Sequence, residues 1–265
     1  MIKLKRRYRI GVDTGGTFTD VVLVDESSGE MLVAKVATVP SDPSVGCMNG
    51  IEKALSEHGI DAAEIVFSVH GTTIATNTII EGKGAKAGLI TCAGFRDVLE
   101  IQRGNRPDLY NLRFKKERPM VPRLLRFEVR ERVDATGTVL APLERSDLDG
   151  VIARCREEGV EAIAIQYLHS YIAPEHEAES AAYLRENLPG VAVTASHEIT
   201  REWREYERAN TTVLNAYVLP IVQEYFGRLE ETLKDVGVVS SYAAMQSNGG
   251  TLSLIHISEP TRLGM

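Results

Sequence analysis

The chain has 265 residues, 43% of them hydrophobic and 25% charged, with a formal net charge of -7. That composition is globular and sized for one large or two modest domains, and the acidic balance argues against a general nucleic-acid binder. No run of about 18 apolar residues is present, and no apolar segment follows the basic start Lys3–Arg7, so neither a membrane span nor a signal peptide is indicated.

Short β-branched runs at Tyr8–Val12, Val21–Val24 and Met31–Val36 predict three strands, with a glycine-rich stretch between the first two. Pro43 opens a helical pattern that Gly59 closes. A strand at Ile65–Val69 and a Thr-rich helix to Ile80 follow, then a strand at Ala87–Thr91. Residues 104–126 carry three prolines and many basic residues and read as an irregular excursion. Phe127–Val133 and Thr138–Leu140 predict a hairpin around Ala135-Thr136-Gly137. Beyond it come a helix at Ser146–Glu158, a strand at Ala162–Tyr167, a helix at Glu175–Asn187 and a strand at Val191–Ala195. Residues 202–236 are mostly helical, with Pro220 as a kink or restart. Strands that begin as a hairpin and then alternate with helices indicate an α/β fold on a mixed sheet. The cysteines Cys47, Cys92 and Cys155 lack metal spacing and read as reduced thiols of a cytoplasmic protein.

The stretch IGVDTGGTFTD, residues 10–20, holds the strongest chemical signal. It fits a plain hairpin turn, because glycine accepts positive φ. It equally fits a phosphate loop. Gly15 and Gly16 let backbone N–H groups approach an anion, while Thr14, Thr17 and Thr19 add hydroxyls. Asp13, at the end of an apolar strand, is suited to holding a cation through its hydration water, with Asp20 as a second carboxylate. A P-loop is excluded, since GxxxxGK[ST] is absent. Further on, His70-Gly71-Thr72-Thr73 follows a strand and opens a helix, with Asn77 one turn beyond Thr73. Such a helix start can bind an anion or carbonyl oxygen; it can also be a simple cap, with His70 packed at the strand end.

Five blocks resemble one known family, in its order: GVDTGGTFTDVV, HGTTIATNTIIE (70–81), GLITCAGFRDVLEIQRGNRPDLYNL (88–112), SHEITREWREYERANTTVLNAYVLP (196–220) and MQSNGG (245–250). They are similar to the hydantoinase A, 5-oxoprolinase and acetone carboxylase β-subunit family. The resemblance implies the N-terminal lobe of an actin-like, ribonuclease H-type ATPase over residues 8–200, with residues 201–251 starting a second, incomplete lobe. It implies ATP and Mg²⁺ as cofactors, phosphorylation of an amide oxygen and hydrolytic opening of a cyclic amide such as hydantoin or 5-oxoproline. A companion hydantoinase B-type subunit is the implied partner. Thr14–Thr17, Thr19 and Asp20 then serve phosphate binding, and Asp13, His70 and Arg103 catalysis. Thr72, Thr73 and Asn77 fall in the substrate cleft. Two alternatives stand beside this reading: a subunit of an ATP-dependent ketone carboxylase, or a sugar-kinase-like or non-catalytic nucleotide-binding module. Only one phosphate loop of the DTGGT type occurs, so the chain by itself is expected to be inactive. The last residues, 252–265, begin LSLIHISEPTR, which departs from the family and matches the translation of a common transposase sequencing adapter; that tail is expected to be foreign to the protein.

Overall fold

The computed structural model describes residues 6–39, 42–104, 108, 110–238, 241–246 and 249–253. The chain forms two compact units, the first from Met1–Gly82 with Ile221–Met265, the second from Lys83–Pro220. The second unit is thus an insertion into the first.

The first unit opens with β1 (Tyr8–Thr14), β2 (Phe18–Asp25) and β3 (Met31–Ala37), an antiparallel meander. Helix α1 (Pro43–His58) follows, started by Asp42, whose carboxylate accepts from Ser44 N at 3.1 Å, and ended by Gly59 at φ 63°. Then come β4 (Ile65–Thr72) and α2 (Ile74–Glu81). After the insertion, β11 (Ser241–Met245) and β12 (Thr251–Ser253) complete a six-stranded sheet of order β12-β11-β4-β1-β2-β3. β1, β4 and β11 run parallel, and β2, β3 and β12 are antiparallel to their neighbours. This is the expected mixed sheet of the ribonuclease H type. Its buried face, with Ile10, Val12, Val21 and Leu23, packs against Ile51 and Leu55 of α1. Gly46 and Gly50 permit that approach: a Cβ on Gly50 would stand 2.8 Å from Val21 Cγ2, and one on Gly46 3.0 Å from Val39 N.

In the second unit β5 (Ala87–Cys92), β6 (Arg126–Val129), β9 (Ala162–Gln166) and β10 (Ala192–Ala195) form a parallel sheet of order β10-β9-β5-β6. β5 and β9 are buried along their whole length, as expected where helices cover both faces. The helices are α3 (Val98–Ile101), α4 (Arg145–Glu158), α5 (Glu175–Asn187) and α6 (Ser196–Ile199). The strand expected at Phe127–Val133 divides: its first half joins the sheet as β6, and only β7 (Arg132–Val133) pairs with β8 (Val139–Ala141) in the hairpin.

Helix α7 (Glu205–Val236) continues through Pro220, so the proline does not restart it. The residues of this helix are distributed between the two units. Ala209, Val213 and Ala216 pack in the core of the second unit. Tyr225, Phe226, Leu229 and Leu233 pack in that of the first, where β11 pairs with β4. Of the expected foreign tail, Leu252 and Ser253 lie in β12, and 254–265 fall outside the described residues. Among the described residues no helix is long and apolar enough to cross a membrane, and all three cysteines are buried and free.

Candidate functional site

β1 and β4 are parallel neighbours, so their carboxyl ends meet at one sheet edge, with Thr14 opposite Thr72 and Asp13 opposite Gly71. In α/β sheets that edge is where ligands bind. The β1–β2 loop closes through Gly15 N donating to Phe18 O at 3.0 Å. It is anchored from the end of β3: Thr38 N donates to Thr17 O at 3.0 Å and Thr38 Oγ1 to Gly15 O at 2.9 Å. Gly16 and Thr17 are exposed, and among the described residues their N–H groups have no acceptor. Neither Gly15 nor Gly16 has positive φ. The glycines therefore serve close approach rather than backbone handedness: a Cβ on Gly15 would meet Phe18 O at 3.3 Å.

The acidic pair divides its work. Asp13 and Asp20 face each other across β1 and β2, and Lys35 is next in the same row. Lys35 Nζ lies 2.9 Å from Asp20 Oδ1 and 4.8 Å from the centroid of the Phe18 ring, so the Asp20 charge is already matched. Asp13 is exposed, with Oδ1 only 3.2 Å from where a Gly71 Cβ would stand. The absence of a side chain at residue 71 gives that carboxylate its room.

The first turn of α2 stands beside the loop: Asn77 Nδ2 lies 4.0 Å from a Cβ built on Gly16 and donates to Thr73 Oγ1 at 3.1 Å. Thr72 Oγ1 accepts from Ile74 N at 3.3 Å. Asp13, Gly15, Gly16, Thr17, Thr72, Thr73 and Asn77 thus gather around one edge, where free amides and a helix start favour an anion.

Four expected site residues have other positions. Thr19 is fully buried, its hydroxyl donating to Thr38 Oγ1 at 3.0 Å, which makes it a support of the loop. Thr14 also points inward. Its buried Oγ1 lies beside the Cys47 thiol and the Tyr225 phenol. His70 has no exposed surface: it lies on the buried face of β4, with Nε2 2.6 Å from Tyr225 Oη and Nδ1 3.9 Å from Cys47 Sγ. Burial alone draws the His70 pKa down to about 4, and burial, opposed by the neighbouring hydroxyls of Thr14 and Tyr242, pushes the Cys47 thiol up to about 12. A neutral core imidazole has no face for a substrate, and His70 is the packed histidine that the cap alternative describes. Arg103 belongs to the second unit, where it is ion-paired with Glu207. Thr38, Gly71 and Tyr225 went unrecognised in the sequence. Thr38 closes the run Met31–Thr38 one residue past β3, and only its threonine hydroxyl hinted at a role.

Among the described residues no group of three or more His, Cys, Asp or Glu is arranged to hold a metal. An exposed carboxylate beside free backbone amides nevertheless suits Mg²⁺, which keeps most of its waters and takes its other ligands from phosphates.

Residues 9–188 match the family model described as the hydantoinase/oxoprolinase N-terminal region, and residues 208–263 the one described as hydantoinase/oxoprolinase. An uncharacterized protein of Methanocaldococcus jannaschii is 40% identical over 95% of this chain and 37% of its own length. Caprolactamase subunit alpha of Pseudomonas jessenii is 35% identical over 93% of this chain and 36% of its own. The crystal structure of the ATP-dependent caprolactamase from that organism superposes with a TM-score of 0.83 at 31% identity, covering 97% of this chain and 39% of the other. A nucleotide-free acetone carboxylase structure, from work on ATP-dependent acetone carboxylation, superposes at 0.81 with 28% identity, covering 94% and 37%. The chain therefore spans little more than a third of the length of these two curated relatives.

Proposed function

The chain belongs to the hydantoinase/oxoprolinase family, and we propose that it supplies the phosphate-binding side of an ATP-dependent enzyme that opens cyclic amides. The observation that carries this reading is the edge at Asp13: an exposed carboxylate above Gly71, flanked by the free amides of Gly16 and Thr17 and by the first turn of α2. The likeness to an ATP-dependent caprolactamase supports both the nucleotide and the cyclic amide. Gly16 N, Thr17 N and the Thr17 hydroxyl donate to phosphate oxygens. Asp13 orders the water shell of Mg²⁺, whose chemistry when bound is to offset phosphate charge. Thr73 and Asn77 place a donor and an acceptor next to that nest. Phosphoryl transfer depends on positioning and charge, and each group here contributes one or the other. ATP then phosphorylates the amide oxygen and leaves as ADP. Water adds to the activated carbon, the ring C–N bond breaks with the nitrogen leaving protonated, and a second water releases phosphate from the resulting acyl phosphate to give the carboxylate. The setting is cytoplasmic, and a companion hydantoinase B-type subunit completes the assembly.

The structural likeness to an acetone carboxylase supports a second reading, activation of a ketone for carboxylation. The test is to assay the protein at its relatives' length, with and without the companion subunit, on 5-oxoproline, hydantoin and caprolactam, and on acetone with bicarbonate. ATP-dependent ring opening that Asp13→Ala abolishes is the expected result. Carboxylation without ring opening would establish the second reading, and nucleotide-independent ring opening would defeat both.

A further inference from the structure

A cavity of about 910 Å³ lies in the second unit, between edge strand β6, the turn after β5 and the first turns of α4. Five guanidiniums line it, those of Arg96, Arg123, Arg126, Arg130 and Arg154, against the carboxylates of Glu128 and Asp147. Both carboxylates are engaged. Glu128 Oε1 accepts from Gly94 N at 2.7 Å, and Asp147 takes Arg130 bidentately at 2.9 and 2.7 Å. Ion pairs also orient the other arginines: Arg123 with Asp97 at 2.8 and 3.0 Å, and Arg154 with Glu157 at 2.7 Å and Glu158 at 3.1 Å. A carboxylate occupies one edge of a guanidinium and leaves further N–H donors, so these pairs fix the arginines without using up their donors.

Arg126 gives the cavity its chemical direction. Its side chain is 1% exposed, yet only two of its nitrogens are satisfied, Nε by Val121 O and Nη2 by Glu100 Oε2, both at 2.9 Å. Nη1 is buried without a hydrogen bond, and Asp97 Oδ1 stands 3.9 Å away. Arg96 Nε is likewise buried without one, 3.6 Å from Glu128 Oε2. Unmet buried donors of charged groups are costly, and an oxyanion in the cavity offsets their charge while bonding the remaining N–H donors of Arg96, Arg123, Arg130 and Arg154, whose side chains are partly exposed. A Cβ at Gly94 or Gly150 would find only open space, so backbone rather than side chain borders the void there.

We propose that this cavity binds a small oxyanion ligand, a molecule bearing phosphate or carboxylate groups, at a site in a different unit from Asp13. The test titrates the 265-residue chain with inorganic phosphate, pyrophosphate and citrate, followed by calorimetry. At least one of the three binds saturably, and the preferred one identifies the class. The double variant Arg96→Ala/Arg154→Ala, at two partly exposed side chains, weakens that binding roughly tenfold, and Arg154→Gln alone weakens it by about threefold if the double variant fails to fold. Gly16→Val, at the β1–β2 loop, leaves it unchanged. No saturable binding of any of the three, binding indifferent to the arginine variants, or binding lost in Gly16→Val would each overturn the proposal.

Discussion

Tyr225 Oη lies 2.6 Å from Nε2 of His70, joining residues 155 apart in sequence. His70 directly precedes Gly71, the glycine beneath the Asp13 carboxylate. The two rings also sit 5.6 Å apart, with Tyr242 on another side of the imidazole at 6.0 Å. This buried contact holds the carboxyl end of β4 to the second half of α7 and so steadies the edge on which the proposed site stands.

Burial lowers the folded pKa of His70 to about 4, from 6.5. Between those values the unfolded chain binds the extra proton, so stability rises with pH across that window. The contribution is complete above about pH 6.5 and is lost as pH falls to about 4, amounting to about 3 kcal/mol at most. Urea unfolding from pH 7 down to 4.5 is expected to give a shallower pH slope for His70→Asn than for the native chain. Equal slopes would mean that His70 is protonated or exposed in the folded state.

Gly50→Ala is expected to destabilise the first unit by about 1–3 kcal/mol, because the new methyl meets Val21 Cγ2 at 2.8 Å and Val36 Cγ2 at 3.3 Å in a packed helix–sheet contact. Gly150→Ala, on helix α4 with open space around it, is the matched control and is expected to be neutral or slightly stabilising. Denaturation midpoints that rank the two variants the other way would contradict the close packing of α1.

Gly71→Ala places a methyl 3.2 Å from Asp13 Oδ1. The carboxylate must shift by a few tenths of an ångström, while the strand itself tolerates alanine. Unfolding free energy is expected to change by less than about 1 kcal/mol, with Mg²⁺-dependent nucleotide binding weakened several-fold. Unchanged nucleotide affinity would detach Asp13 from that binding.

Asp13→Ala removes an exposed carboxylate that, among the described residues, makes no hydrogen bond or ion pair. Its folding cost is expected to be within about 0.5 kcal/mol. In the active assembly the loss of one aligned charge contact is expected to raise the barrier to ATP turnover by roughly 2–4 kcal/mol, by analogy with a lost oxyanion donor. Native turnover with the same Mg²⁺ dependence would reduce Asp13 to a turn residue.

The alternation of strands and helices was legible because β-branched runs and glycine stops act locally, as at Tyr8–Thr14 and at Gly59. The site edge was half legible. Gly15, Gly16 and Thr17 are contiguous, and their spacing already suggested an anion nest. His70 was misplaced because its partners Tyr225 and Tyr242 lie beyond the insertion, and strand alternation turns its side chain to the face opposite Asp13 and Gly71. The same alternation turns Thr14 and Thr19 inward, where threonines on either side of a glycine pair had looked like ligands. The insertion itself was invisible, since residues 83–220 carry the same α/β pattern as the unit they interrupt.

Amide hydrogen exchange across residues 14–18, measured with increasing MgATP, bears most directly on the phosphate-binding role of this edge. Slowed exchange at Gly16 and Thr17 in the native chain, lost in Gly16→Val, is the expected result. Nucleotide binding that protects other segments while these amides exchange unchanged, or protection that survives Gly16→Val, would contradict it.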